Sequence, residues 1–246
     1  MVTLAEVLSA FAGATGLHAL NFAGGLLITC AVLGGVLLLA WVFQDKPMVF
    51  DRIGPALLGV FPFVVMFIVT SIATLRERTG GTLERLLATP LGKADFMVGY
   101  AVAFGVMAIV QALVATGFAI WVCGLDVAGP VWVLVLVAVL DAVLGTALGL
   151  LASAFAHTEF QAVQFMPAFV LPQFLVCGLL LPRDQLPVVL ERLSDVLPLS
   201  YAVDAMGSVA TLAQPMGDVG PDLLVIGLWI AVSLLLGSLT LRRRTE

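Results

Sequence analysis

Long uncharged stretches alternate along the chain with short charged or proline-rich ones, and this alternation predicts its elements. Between Glu6 and Asp45 there is no formal charge, and residues 22–43 are long enough for one spanning helix of about 20 residues. A second uncharged run lies between Arg52 and Arg76; it opens on Gly54-Pro55 and contains Pro62, predicting a kinked span over residues 54–75. Residues 96–122 supply a third span, with Trp121 as an aromatic anchor at the membrane interface, and Gly129-Pro130 turns the chain. The fourth span, residues 131–155, carries a single charge, Asp141. A very short connection around His157 leads to the fifth, residues 160–181, bent by Pro167 and Pro172 and dotted with glutamines. From Pro182 to Pro221 the sequence is mixed, and its apolar patches are too brief to cross a bilayer; small helices resting on the membrane or dipping into it are expected. A sixth span, residues 223–241, stops at Arg242-Arg243-Arg244. The expected fold class is an all-α integral membrane protein with six transmembrane helices, forming one domain over residues 1–246.

Composition agrees with that pattern. Hydrophobic residues make up 61% of the 246 and charged residues 11%, against roughly 45–50% apolar and about 25% charged in soluble domains. Nothing in this composition suits nucleic-acid binding. The net charge of −5 matters less than its distribution. If both termini and the charged island after the second span face the cytoplasm, Arg76, Arg78, Arg85, Lys93, Arg242, Arg243 and Arg244 lie there. The opposite face keeps only Lys46, Arg52, Arg183 and Arg192. The positive-inside rule thus predicts a multi-pass protein of the plasma (inner) membrane with both termini cytoplasmic. The N-terminal stretch lacks a basic n-region, so the first span is expected to direct insertion without cleavage. Cys30, Cys123 and Cys177 all fall inside apolar runs and do not report a redox compartment.

The island from Arg76 to Pro90 is the most distinctive stretch. After Gly80-Gly81 comes Thr82, a candidate N-cap, then Leu83, Leu86 and Leu87 at helical spacing, with Pro90 closing the segment. The pattern predicts a short amphipathic helix outside the bilayer. Its leucine stripe either docks in a partner's groove, flanked by Glu84 and Arg85, or lies in the lipid interface with the arginines as anchors. The pattern alone leaves both open.

Candidate chemistry is sparse. The one Gly-Lys pair, Gly92-Lys93, is followed by Ala94 and lacks the glycine of a phosphate-binding loop, so no ATP site of that type is expected. His18 and His157 are the only histidines and the cysteines are scattered, so no metal site is expected. Asp141 is the sharpest intramembrane signal, because a carboxylate at a helix centre costs about 2.5–3.5 kcal/mol on insertion scales. It suits a proton or a cationic substrate; alternatively it belongs to the Gly145 and Gly149 stripe, a small-xxx-small surface for helix packing. Gln111, Gln164 and Gln173 divide in the same way between lining a pathway and bonding between helices.

Two stretches resemble the permease subunits of ABC-2-type transporters, in particular the daunorubicin-resistance-type exporters. Glu77 to Pro90, ERTGGTLERLLATP, is similar to that family's cytoplasmic signature between spans two and three. Leu179 to Met206 is similar to its external region after span five. The resemblance implies a coupling helix between spans two and three that docks on a separate ATPase, carried by Gly81, Thr82, Leu83, Glu84, Arg85, Leu86, Leu87, Thr89 and Pro90. It implies two ABC ATPase subunits, a second permease of the same or homologous sequence, and ATP with Mg bound by the partner rather than by this chain, which would have no catalytic site of its own. It further implies short re-entrant external helices gating the exit, with Pro182, Pro187, Pro198 and Tyr201 as gate positions, and amphiphilic substrates such as drugs, antibiotics or lipids. Two other classes stand beside this one: an ion-coupled carrier titrating at Asp141, and a non-transporting membrane scaffold.

Overall fold

The computed structural model describes residues 33–38, 40–43, 47–79, 93–179 and 181–240. Among these every regular element is helical. A short apolar stretch, Leu33–Val42, covers the second half of the expected first span. Then come α1 (Pro47–Thr79), α2 (Lys93–Trp121), α3 (Val131–Ser153) and α4 (Glu159–Val176). A 3-10 turn at Arg183–Gln185 leads to α5 (Val188–Val196), α6 (Pro198–Thr211) and α7 (Met216–Thr240). Among the described residues, four helices are long and apolar enough to cross a membrane: Ile53–Arg76 in α1, Ala101–Trp121 in α2, and all of α3 and α7. The fifth expected span, α4, is not one of the four; its 18 residues include two prolines and three glutamines. The signature residues Gly81 to Pro90 lie outside the described residues.

Several boundaries differ from the sequence pattern, each for a local reason. α1 begins at Pro47, not Gly54, and holds Pro55 in its interior. The apolar run stops at the charged pair Asp51-Arg52, but the helix runs through them to Pro47 with Phe50 packed in the core, and an interior proline removes one backbone bond without stopping a packed helix. α7 begins at Met216 rather than Leu223, because the carbonyl of Pro215 accepts the N–H groups of Asp218 and Val219 and so starts the helix early. α4 stops at Val176, short of Leu181: Cys177 caps it and Gly178 follows with φ +93°, a left-handed conformation that glycine adopts without steric cost.

The core is organised by α1 and α3, which lie against each other along most of their length. Phe63, Phe67, Leu144 and Leu148 are buried in their interface. α2 and α7 pack on other faces of α3. α6, 14 residues and about 21 Å long, is too short to cross the roughly 30 Å hydrocarbon core. It is nonetheless a core element: Leu199, Ala202, Ala205, Met206 and Val209 are fully buried, and it packs on α1 and α7.

Candidate functional site

The α1–α3 contact is a ladder of positions four apart, which share one helix stripe. A Cβ at Gly145 would collide with the carbonyl oxygen of Phe63, and one at Gly149 would stand 2.6 Å from that of Phe67. A Cβ at Gly59 would lie 3.5 Å from Oδ2 of Asp141. Thus Gly59, Phe63 and Phe67 face Asp141, Gly145 and Gly149 in the same order, and the two helices run parallel. A parallel pair requires the chain to return between them, which α2 does. Both ends agree: the backbone N–H of Asp126, in the α2–α3 connection, donates to Asp51 near the start of α1 (3.2 Å). At the other end Arg76 of α1 meets Glu159, just beyond α3.

Asp141 sits where α1, α3 and α6 converge, with the Met206 side chain beside Gly59. It is fully buried, and among the described residues neither carboxyl oxygen has a hydrogen-bond partner. Asp141 is not alone in this: the hydroxyls of Thr70 and Thr74 on α1, Thr116 on α2 and Ser233 on α7 are also buried with no partner among the described residues, whereas other core hydroxyls are satisfied. Thr146 donates to the carbonyl of Ala142 (3.1 Å) and Ser153 to that of Leu150 (2.7 Å), the usual self-satisfaction of short polar side chains in apolar helices. The glutamines do not join Asp141 in one polar site. Gln173 is buried; its Nε2 donates to the carbonyl of Phe169 (3.1 Å) and its Oε1 accepts from the backbone N–H of Leu199 (3.4 Å), tying α4 to the first turn of α6. Gln164 is exposed on α4, and Gln111 is buried on α2.

At the Arg76 end, α1 is clamped to the start of α4. Nε and Nη2 of Arg76 donate to the two carboxylate oxygens of Glu159 at 2.7 and 2.8 Å, a bidentate geometry. The Arg76 hydrogen bond holds the Glu159 carboxyl below its ordinary range, against a smaller opposing effect of burial. Thr158 caps α4 by accepting from Gln161 N–H (3.2 Å), and the Gln161 side chain accepts from His157 N–H (2.9 Å). Beside the ion pair Leu75, Ala156 and Ala162 form a small buried apolar cluster against which Phe165 packs. Next to it, between α1, α3 and α4, lies a cavity of about 190 Å³ lined by Phe67, Leu148, Leu151, Ala152, Phe155, Phe165 and Phe169.

At the opposite end the residues after α4 fold around Arg183. Its guanidinium donates to Asp204 of α6 and Asp195 of α5, and its Cζ lies 5.6 Å from the centre of the Tyr201 ring. Tyr201 in turn donates to the carbonyl of Asp195 (2.6 Å). Burial raises the Asp204 carboxyl above the ordinary range, and Arg183 offsets this only in part. The three proline gate positions each start an element: Pro182 precedes the 3-10 turn, Pro187 is the N-cap of α5, and Pro198 opens α6 as its first residue. The sequence singled out Tyr201 but neither Arg183, Asp195 nor Asp204, nor the pairing of Arg76 with Glu159. Arg76 and Glu159 are 83 residues apart, so only their shared side of the membrane was legible.

A family model described as ABC-2 type transporter matches residues 9–210. The chain belongs to the ABC-2 type transporter family. Among relatives, it is 30% identical over 150 residues to the probable multidrug ABC transporter permease YbhR of Escherichia coli strain K12, covering 61% of this chain and 41% of that protein. It is 26% identical over 159 residues to the linearmycin resistance permease protein LnrN of Bacillus subtilis, covering 64% and 41%. Nodulation protein J of Rhizobium leguminosarum bv. viciae is 29% identical over 167 residues, covering 66% and 62%. The matched stretch therefore spans about two fifths of the first two of these relatives. As an ABC-2 member with four spanning-length apolar helices among its described residues, the chain is a multi-pass membrane protein.

Proposed function

We propose that this ABC-2 chain is the permease subunit of an ATP-driven exporter of amphiphiles, powered by a separate ABC ATPase. The observation that carries the reading is α1. Its 33 residues run unbroken from Pro47 through a spanning segment to Thr79, so the helix carries the first three residues of the ERTGGTLERLLATP signature and ends at its Gly80-Gly81 step. A force applied to Gly81 through Pro90 would pass along α1 into α3 through the glycine contacts, and into α4 through Arg76 and Glu159. In this reading Leu83, Leu86 and Leu87 dock on the ATPase, with Thr82 capping the coupling helix and Glu84 and Arg85 flanking the dock. ATP and Mg are held by two ATPase subunits, and a second permease, identical or homologous, completes the complex. Six spans cross the inner membrane, residues 1–246 act as one domain, and both termini lie with the coupling helix in the cytoplasm. α5 and α6 then form the external cap as short re-entrant helices, latched by Arg183 and Tyr201. The multidrug and antibiotic-resistance names of two relatives support an amphiphilic substrate.

The test substitutes the dock. Leu83→Asp or Glu84→Lys leaves membrane insertion intact and abolishes both co-purification with the ATPase and permease-stimulated hydrolysis; wild-type values in both assays sink the reading. Asp141 supports a second reading, an ion-coupled carrier, because its carboxyl is buried without a hydrogen-bond partner among the described residues. Transport abolished by an uncoupler yet indifferent to ATP depletion would favour that carrier.

A further inference from the structure

α6 is held at its two ends by different partners. The last carbonyls of a helix have no partner within it, and in α6 two of them are taken from outside. The N–H groups of Ala128 and Gly129, in the α2–α3 connection, donate to the carbonyls of Ala210 (3.1 Å) and Val209 (2.9 Å). The approach is close, since a Cβ at Gly129 would stand 2.6 Å from the Val209 carbonyl oxygen. At the first turn the backbone N–H of Leu199 is likewise without a helical partner, and it donates to Oε1 of Gln173 on α4 (3.4 Å). Arg183, which follows α4, adds a second tie to the same half of α6 at Asp204. The first half of α6 is thus fastened to α4, and its last turn to the start of α3.

The two ends also lie at different depths. Ala205, Met206 and Val209 pack with Phe50 and Val133, near the starts of α1 and α3. Leu199, Ala202 and Val203 pack with Phe63 and Leu144, near the middles of those helices. α6 therefore points its N-terminus into the bundle. Gln173 is 1% exposed there, and a buried donor left unpaired is costly, so the bond to Leu199 favours joint movement of α4 and α6. α4 is otherwise thinly packed: among the described residues only Ala162, Val170, Gln173 and Val176 of its 18 are buried. Its polar ties are Glu159 at the Arg76 end and Gln173 near the other.

Resting on the permease reading above, we infer that α6 is a pivoting plug: its last turn is the fulcrum, held on the α2–α3 connection, and Gln173 is the positioning residue through which α4 moves its buried tip. Displacement of α1 reaches α4 through Arg76 and Glu159, and α4 carries it to Leu199. α6 then swings about its bonds to Ala128 and Gly129 and withdraws Leu199 and Ala202 from the centre of the bundle.

The experiment uses the complete permease–ATPase complex in lipid nanodiscs, with Cys30→Ser, Cys123→Ser and Cys177→Ser and nitroxide labels on pairs of exposed positions. Labelled chain is diluted into unlabelled chain, so each distance lies within one chain. Leu175→Cys with Val196→Cys spans the joint between α4 and the start of α6. Trp132→Cys with Val196→Cys relates that start to α3, and Trp132→Cys with Thr211→Cys spans the fulcrum. Addition of ATP, Mg and vanadate is expected to shift the Trp132–Val196 distance and to leave the other two in place. Gln173→Met, of similar size but without the amide, should lower the ratio of shifted to unshifted population about fivefold, the weight of one hydrogen bond. Leu134→Ala, a truncation in the core between α2 and α3, should lower the unfolding temperature without changing that ratio. An unshifted Trp132–Val196 distance would overturn the pivot, and a shift between Trp132 and Thr211 would overturn the fulcrum. A Leu175–Val196 distance that shifts as much as Trp132–Val196 would overturn the joint, because α6 would then move without α4. An unchanged ratio in Gln173→Met would overturn the role of Gln173. If that variant does not fold, the three distances, which need no substitution at the joint, decide whether α4 and α6 move as one. A chain that never associates with an ATPase would overturn the permease reading itself.

Discussion

Gly145 and Gly149 are held to glycine by contact, not by backbone conformation, since neither has a positive φ. With no Cβ, α3 approaches the α1 backbone at Phe63 and Phe67 closely, as small residues allow between helices in lipid. Gly145→Val should therefore separate the pair and cost at least ~1–3 kcal/mol, read as a lowered unfolding temperature of the purified protein. Gly105→Ala on α2, where a Cβ meets nothing within 4 Å among the described residues, should leave it unchanged or slightly raised. Asp141 obeys a different rule. A buried carboxyl without a hydrogen-bond partner among the described residues contributes no bond whose loss would cost stability, so Asp141→Asn, which keeps the shape and cannot ionise, should fold about as stably as the wild type in the same assay. Transport lost in that folded variant would mean that Asp141 is kept for function; transport unchanged would sink the ion-coupled carrier. The sequence made both alternatives for Asp141 legible through its spacing to Gly145 and Gly149. It did not reveal the facing stripe of Gly59, Phe63 and Phe67, because that ladder exists only after two distant helices pair.

Between elements, the clamp of α1 on α4 is a half-exposed ion pair, with side chains 33% and 52% accessible, so its contribution to stability is small, ~1 kcal/mol or less. Its sign with pH is definite. The Glu159 carboxyl is held below its ordinary value of about 4.3, so its stabilisation is present above that value and is lost as pH falls through the lower folded one. Glu159→Gln should therefore be slightly less stable than wild type near neutral pH and converge on it as pH falls through that lower folded value, checked by unfolding from neutral into acid. Asp204 carries the opposite sign: its value is raised, so its contribution is present in acid and fades as pH rises through the folded value. The long apolar runs announced α2, α3 and α7 because lipid demands them. The polar turns that extend α1 to Pro47 and α7 to Met216, and the burial of α6, were not legible; α6 is as short as a surface helix and is recognised as a core element only by what surrounds it.

At the scale of the whole molecule, the parallel order of α1 and α3 makes orientation testable with few positions. Thr79 ends α1 near Glu159, while Asp126 and Asp51 meet at the other end, so a membrane crossing separates Thr79 from Asp126. Asp184, in the turn that Arg183 ties to α5 and α6, is exposed. In the proposed orientation, which rests on charge counting, the Thr79 end faces the cytoplasm together with the signature and Arg242-Arg243-Arg244. In a background with Cys123→Ser, since that thiol is partly exposed near Asp126, Asp126→Cys and Asp184→Cys should react with a membrane-impermeant maleimide in intact cells. Thr79→Cys should react only after the membrane is opened. Labelling of Thr79→Cys and Asp126→Cys from one side would contradict the parallel pair and with it the ladder at Gly145 and Gly149. Labelling with the two sides exchanged would leave the fold intact but put Gly81 through Pro90 away from any cytoplasmic ATPase. The coupling role would then fail while family membership stood, since the match over residues 9–210 does not depend on orientation.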